Sequence, residues 1–322
     1  MALTDQVEYI PVSPRILRPD SKGPFDLFLR HENNYVLFNA AGRLLTRAKR
    51  QELLTDKAST LYIDEKALND YRSYLVENIT DVLDDESISV EERAQAWSNT
   101  AQVLGKELFE KKLPGPTFEK RYDRFEKLIQ STSTFLQSAK SLKHLSRFIS
   151  KGYDIYQHGI STMVYTVCLM QEYDYDDHKL LACGMGAMLH DIGKTGLPQE
   201  IVNKNPVDLT DEERETLALH PMIGARTCSN FNLPTIAANC ILFHHERADG
   251  KGYPTQATSE DVPLHTKIVA ICNEYDNLTR NVPYRKALTP FAALKHIMDD
   301  DGLADKDILK KFVELLSQAE IV

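Results

Sequence analysis

The stretch Leu180-Leu181-Ala182-Cys183-Gly184-Met185-Gly186-Ala187-Met188-Leu189 runs directly into His190-Asp191-Ile192-Gly193-Lys194. Apart from two glycines the first part is apolar on every side, which marks a helix buried on all faces at the centre of a helical domain. His190 and Asp191 are expected at the C-terminal end of that helix, where Gly193 releases the chain. An adjacent His-Asp pair offers a metal one neutral nitrogen and one anionic oxygen, and a carboxylate can bridge two ions. Taken alone, the pair is equally consistent with a buried hydrogen-bonded couple.

Further ligand-type residues lie on both sides. His158 is upstream; His220, the doublet His244-His245, and Asp276 follow downstream. Neighbouring histidines at a helix end are awkward to bury as neutral core residues, because each ring needs two partners. Asp276 follows an apolar helical face, where an unpaired carboxylate is costly. Spread over several expected helices, this set suits a cluster of two or three metal ions and points to metal-assisted hydrolysis. His178, His265 and His296 read as polar or loop-like and are expected to be non-ligands. His31 reads as a solitary surface histidine.

The rest of the C-terminal part is also helical in pattern. His158 heads a helix containing Met163, Val164 and Val167. Thr210 and Glu213 form a capping box, and Pro234 is placed for a first-turn proline before a helix ending near His244-His245. Asp261–Leu278 carries Ile268, Val269, Ile271, Cys272 and Tyr275 on its inner faces, and Thr289-Pro290 starts the next helix. Toward the N terminus, Leu68, Tyr71, Leu75 and Ile79 share one helical face. Ser89 and Glu92 make a capping box for a helix running toward Glu110, residues 112–116 break it, and Phe118, Tyr122, Phe125 and Ile129 restart an amphipathic helix. The first 65 or so residues instead show short strand-like runs at Val7–Val12, Phe25–Leu29, Tyr35–Asn39 and Leu61–Asp64, with turn chemistry at Asn33-Asn34 and Ala41-Gly42 and a short helix over Thr46–Leu54. The expected class is mainly α. A small α+β module (1–78) precedes a helical connector (79–150) and an all-α C-terminal domain (151–322).

Bulk properties narrow the field. The chain has 322 residues, 42% hydrophobic and 26% charged, as for a soluble globular protein. A formal net charge of −9 argues against a general DNA- or RNA-binding surface. No signal peptide and no apolar run of membrane-spanning length is visible, so membrane insertion is not expected. The 5 cysteines are an odd number without a CxxC, which favours a reduced, cytoplasmic protein.

The ordered run of His190-Asp191-Ile192-Gly193-Lys194, His220-Pro221-Met222-Ile223-Gly224 and His244-His245-Glu246-Arg247-Ala248-Asp249-Gly250-Lys251-Gly252-Tyr253-Pro254 resembles the HD-GYP domain, a subfamily of the HD metal-dependent phosphohydrolases. Asp276-Asn277-Leu278-Thr279, followed by Pro283-Tyr284-Arg285-Lys286-Ala287, is similar to that family's next landmark. The resemblance covers roughly Tyr153 to the C terminus. It implies an all-α HD-type domain that hydrolyses cyclic di-GMP to linear pGpG, and in some members on to GMP, in bacterial second-messenger signalling. By position it implies His158, His190, Asp191, His220, His244, His245 and Asp276 as ligands of two or three iron or manganese ions, with Asp191 bridging two. Some members hold the third ion with a glutamate four residues before the first histidine; Asp154 stands there, one methylene shorter.

The same resemblance gives Asp191 and Lys194 the catalytic roles: hydroxide from metal-activated water attacks phosphorus, and Lys194 donates to the phosphate. It also implies substrate contacts from Arg285 and from Gly252, Tyr253 and Pro254, a lip on which Tyr253 stacks on guanine or bonds phosphate. The plainer readings are a solvated Lys194, an Arg285 that caps a helix, and an ordinary Gly-Pro loop braced by Glu246 and Asp249. The sequence departs from the family pattern at Gly159, usually serine, at Asn277, usually alanine, and at Val282, commonly arginine. The departures at Val282 and Asp154 motivate an alternative, a low-turnover module that binds a cyclic dinucleotide or docks a diguanylate cyclase (GGDEF) protein; a third reading is a hydrolase of a hybrid cyclic dinucleotide. A homodimer is compatible with the helical connector.

Overall fold

The computed structural model describes the chain apart from residues 1–7, 33, 56–59, 110–114, 150–151, 153, 174, 230 and 232, and apart from the side chains of 115–117. Val7, Asn33, Glu110, the first part of the break at 112–116, and Tyr153 therefore lie outside the described residues. The chain divides into two compact units, Met1–Thr100 and Ala101–Val322. It is mainly α, and among the described residues its named strands belong to the first unit.

The first unit is built on β1 (Tyr9–Val12), β2 (Ser21–Lys22), β3 (Leu27–His31), β4 (Asn34–Asn39), β5 (Leu44–Leu45), α1 (Arg47–Thr55), β6 (Leu61–Asp64) and α2 (Leu68–Asp84). The main sheet has the order β1-β6-β3-β4, all pairs antiparallel, and β2 pairs with β5. In β6, Leu61 and Ile63 are fully buried while Tyr62 and Asp64 are partly exposed, the alternation of a strand with one covered face. Tyr71 and Tyr74 of α2 meet Phe25 edge-on, each at 5.5 Å between ring centroids. The two-residue strands β2 and β5 are too short to leave a periodicity in sequence, and they were not anticipated.

The division at Thr100 falls inside α3 (Val90–Leu108). Its start matches the expected cap: the Glu92 backbone N–H donates to Ser89 Oγ at 3.3 Å and the Ser89 hydroxyl donates to Glu92 at 2.8 Å. The second unit continues with α4 (Gly115–Phe135), α5 (Ala139–Ile149), α6 (Ile155–Met170), α7 (Asp177–Leu189), α8 (Gln199–Val202), α9 (Asp211–Leu217), α10 (His220–Cys228), α11 (Thr235–Phe243), α12 (Leu264–Thr279), α13 (Pro290–Asp299) and α14 (Lys306–Gln318). Buried α7 is the centre of this unit, packed against α4, α6, α11 and α12. Gly159 explains how closely α6 approaches it: a Cβ there would meet the Met188 carbonyl oxygen at 2.3 Å, so a serine could not replace it without moving a helix.

Two details differ from expectation. Pro234 is the residue before α11, not within its first turn, and Pro263 likewise precedes α12, which begins at Leu264. A proline lacks the N–H that a first-turn residue would leave unpaired, so either place suits it. His178, His265 and His296 lie in α7, α12 and α13, not in loops, because each falls within a helix whose apolar stripe carries it along. None of the three belongs to a ligand group among the described residues.

Candidate metal centre

The helix ends of the second unit converge on Asp191. His190 closes α7, His220 opens α10, His244 closes α11 and His158 sits in the first turn of α6. His190 Nδ1 lies 2.7 Å from Ala187 O, His220 Nδ1 2.7 Å from Leu217 O, and His244 Nδ1 2.9 Å from Ile241 O. A carbonyl only accepts, so each of these rings carries its proton on Nδ1 and presents the Nε2 lone pair inward.

The inward nitrogens fall into two sets. His158 Nε2 and His190 Nε2 are 3.1 Å apart, as are His220 Nε2 and His244 Nε2. Asp191 lies between the sets. Its Oδ2 is 3.7 Å from His158 Nε2 and 3.6 Å from His190 Nε2; its Oδ1 is 3.2 Å from His220 Nε2 and 3.7 Å from His244 Nε2. The two ligand groups are therefore His158, His190 and Asp191 on one side, and Asp191, His220, His244 and His245 on the other. Asp191 Oδ1 is buried without a well-formed hydrogen bond. Lone pairs crowded at these distances, around a buried carboxylate with unmet capacity, fit divalent cations.

Electrostatics prepare the same state. Burial pushes His190 and His245 well below the usual histidine value and His220 down to about 4, so the rings stay neutral and ready to ligate at neutral pH. Burial alone would raise the Asp191 carboxyl, but the Lys194 ammonium beside it holds it well below the ordinary range. Lys194 Nζ donates to Asp191 Oδ2 at 2.6 Å.

The remaining candidates take other places. Asp276 joins neither ligand group; its Oδ2 accepts from His158 Nδ1 at 2.6 Å and from Arg280 Nε at 2.7 Å, while its Oδ1 is buried without a hydrogen-bond partner. Asp154 precedes α6, also outside both groups, with its backbone N–H donating to Gln157 Oε1 at 3.3 Å. The Arg285 guanidinium donates to the carbonyls of Leu278 and Asn277 at 3.0 and 2.5 Å, capping α12. Tyr253 stacks on His245 at 4.6 Å and 20°, and its backbone N–H donates to His245 O. The Tyr253-Pro254 bond is cis. A Cβ at Gly252 would meet His245 O at 2.4 Å, so this loop lies directly against the ligand-bearing backbone. Glu246 braces it by accepting from the Thr255 N–H, the Thr255 hydroxyl and the Ala257 N–H. Asp249 pairs with Arg247.

Sequence reasoning passed over Arg280 and Asn273. Arg280 is only 2% exposed and also donates to Gly152 O and Ser161 Oγ. Asn273 Oδ1 lies 2.8 Å from His158 Nε2 and accepts from Asn277 at 3.0 Å. The signal available was spacing: 273, 276, 277 and 280 recur on one face of a helix.

A cavity of about 530 Å³ opens beside the first ligand group, lined by His158, Asp191, Lys194, Asn277, Arg280 and Tyr284 among others. That size suits a small-molecule ligand. Gly252, Tyr253 and Pro254 do not line it, and neither does Arg285. Among the described residues, no helix is long and apolar enough to cross a membrane.

Comparison with known proteins agrees with this geometry. The HD domain family matches residues 123–308. The cyclic di-GMP phosphodiesterase PA4108 of Pseudomonas aeruginosa is 29% identical over 184 residues, 57% of this chain and 44% of that protein. The cyclic di-GMP phosphodiesterase response regulator RpfG of Xanthomonas campestris is 38% identical over 120 residues, 37% of this chain and 32% of that protein. The chain thus spans less than half the length of either relative. Among solved structures, Bd1817, a HDG"Y"P protein from Bdellovibrio bacteriovorus, has the same fold, with a TM-score of 0.66 at 23% identity over 96% of this chain and 100% of that one. With its matched segment covering more than half of its length and its candidate histidine and aspartate ligands gathered at helix ends within that segment, the chain belongs to the HD domain family.

Proposed function

We propose that this protein is a metal-dependent phosphodiesterase that hydrolyses cyclic di-GMP to linear pGpG. The observation that carries the reading is the Asp191 carboxylate, with one oxygen toward His158 and His190 and the other toward His220 and His244. In that arrangement Asp191, with the histidines on either side of it, would hold about two ions, iron or manganese. Bound there, such ions supply a water of lowered pKa and positive charge toward phosphate oxygens.

The chain's own residues do the rest. His158, His190, His220, His244 and His245 would hold the ions through ring nitrogens. Lys194, beside Asp191 at the cavity wall, stabilises that carboxylate as the anion and is placed to donate to a phosphate oxygen. Tyr284, exposed at the cavity rim, offers a ring to a base. Tyr253 acts through His245, keeping that ring in register. We assign residues 1–78 a regulatory role, 79–150 a connecting one and 151–322 the catalytic one.

The test is incubation of anaerobically prepared, iron- or manganese-loaded protein with cyclic di-GMP and a hybrid cyclic dinucleotide, with products separated by chromatography. Accumulation of pGpG supports the reading. Intact cyclic di-GMP from fully metallated protein contradicts it. A second reading, tight binding with little turnover, draws on Arg285, whose donors are spent on α12 carbonyls, and on Val282 at the cavity wall. Saturable nucleotide binding without product would favour it.

A further inference from the structure

We infer that Lys106 and Phe109, at the end of α3, form the subsite for the half of the cyclic dinucleotide that lies away from the metal centre, Lys106 pairing with its phosphate and Phe109 stacking on its base. The inference deepens the function proposed above and rests on it for the identity of the ligand.

A charge inventory of the cavity is the starting point. A cyclic dinucleotide carries two phosphodiesters. The metal centre and Lys194 serve the one that is cut; the other brings its negative charge into the same cavity and calls for a cation there. Among the described residues, the lysines and arginines lining the cavity are Lys106, Lys194 and Arg280. Lys194 is held by Asp191 at 2.6 Å. Arg280 is buried, and its guanidinium donates to Asp276, Gly152 and Ser161. Lys106 is exposed and has no hydrogen bond or ion pair with a described residue. The neighbouring Glu107 does not neutralise it, since that carboxylate pairs with Arg124 at 2.8 Å. Asp154, which also borders the cavity, stands before α6 and forms no ion pair with Lys106. Arg285 does not line the cavity, and Val282, which does, brings no charge.

A solvated lysine in the last turn of a helix would carry the same charge, because that end of a helix favours cations. What sets Lys106 apart is how its turn is held. A Cβ on the preceding Gly105 would meet Ile160 Cδ1 at 3.0 Å and Met188 Cε at 3.1 Å. Ile160 follows His158 by two residues on α6, and Met188 precedes His190 by two on α7, so α3 closes here on both ligand-bearing helices. Leu104 and Leu108 on either side are buried. From α4, Arg121 donates to Glu107 O at 3.0 Å. The backbone of Lys106 is thus fixed relative to His158 and His190, while its side chain is free to reach a ligand. The Phe109 N–H donates to Lys106 O at 3.2 Å, which closes the last turn and sets the two residues on one face. Phe109 is half-buried and borders the cavity. A cation beside a ring matches a phosphate beside its base: the ammonium is a point charge for a phosphate oxygen, and an aromatic face stacks on any base. With Tyr284 at the rim, the cavity then has a ring for each of the two bases.

The test measures hydrolysis of cyclic di-GMP and of bis(p-nitrophenyl) phosphate, a diester with one phosphate and no nucleobase. The proteins are manganese-loaded wild type, Lys106→Ala, Lys106→Arg and Phe109→Leu, with the ions counted in each. The expected result is a KM for cyclic di-GMP raised about tenfold in Lys106→Ala and in Phe109→Leu, with kcat much less affected. The preference for cyclic di-GMP over the simple diester should fall by the same factor, and Lys106→Arg should recover most of it. An unchanged KM in either Lys106→Ala or Phe109→Leu, or an equal loss on both substrates, would overturn the inference. A loaded wild type that leaves cyclic di-GMP intact defeats the hydrolase reading; the subsite is then read from the dissociation constant of cyclic di-GMP by calorimetry, which the same two substitutions should weaken about tenfold. A wild type that neither cuts nor binds the nucleotide defeats both.

Discussion

The Lys194 ammonium lies 2.6 Å from Asp191 Oδ2, on the side of the carboxylate that faces His158 and His190. Both side chains border the main cavity. A lysine so placed stabilises the Asp191 anion and, in the proposed reaction, is the nearest cation to offer a phosphate oxygen a donor. Lys194→Met is expected to lower kcat/KM on cyclic di-GMP about 100-fold, in the range seen when one donor to a developing charge is removed. The ion count should stay unchanged, as read by elemental analysis beside steady-state kinetics. Full activity in the variant would leave Lys194 as a structural counter-ion alone.

The metal-free protein should lose stability as the solution is acidified from about pH 6.5. In the unfolded chain histidines titrate near 6.5. In the folded protein burial lowers His220 to about 4 and His190 and His245 well below their ordinary value. Between these limits the unfolded chain binds more protons, so its population rises as pH falls. The lowered carboxyl of Asp191 acts in the same direction at lower pH: its contribution is complete above the ordinary carboxylate range and is lost as pH falls through and below that range. Thermal melts of chelator-treated protein at pH 7, 6, 5 and 4.5 should therefore show a steady decline in Tm. A flat profile over that window would contradict burial of neutral rings.

Arg285→Ala separates a helix cap from a substrate contact. The guanidinium is half-buried and bonded to the last carbonyls of α12. Its loss should cost about 1 kcal/mol, or a Tm lower by about 2–4 °C, with KM changed less than about threefold. A KM raised tenfold with Tm unmoved would instead give Arg285 to the substrate.

The sequence made much of this legible because the decisive features are local. The apolar run Leu180–Leu189 can only be a buried helix, and it is α7. Ser89 with Glu92, Thr210 with Glu213, and Thr289 before Pro290 mark helix starts because capping needs those atoms at that spacing. His158, His190, Asp191, His220, His244 and His245 fall at or near helix ends, and the packing of α6 and α11 on α7, and of α10 on α11 and the turn after α7, brings them together. What escaped depends on partners distant in the chain. Arg280 reads as a solvated charge at the end of a helix, and only the fold puts Ser161 and Gly152 beside it. Arg285 reads equally as a phosphate contact or a cap, and the carbonyls of Asn277 and Leu278 take its donors.

The shared Asp191 carboxylate is best tested by elemental analysis of anaerobically purified wild type and Asp191→Ala, each assayed with cyclic di-GMP. The account predicts about two iron or manganese ions per wild-type chain with pGpG formed, and loss of both ion binding and turnover in the variant, whose far-UV circular dichroism stays that of a helical protein. An Asp191→Ala chain that keeps its full complement of ions, or a wild type that hydrolyses cyclic di-GMP without any, would contradict it.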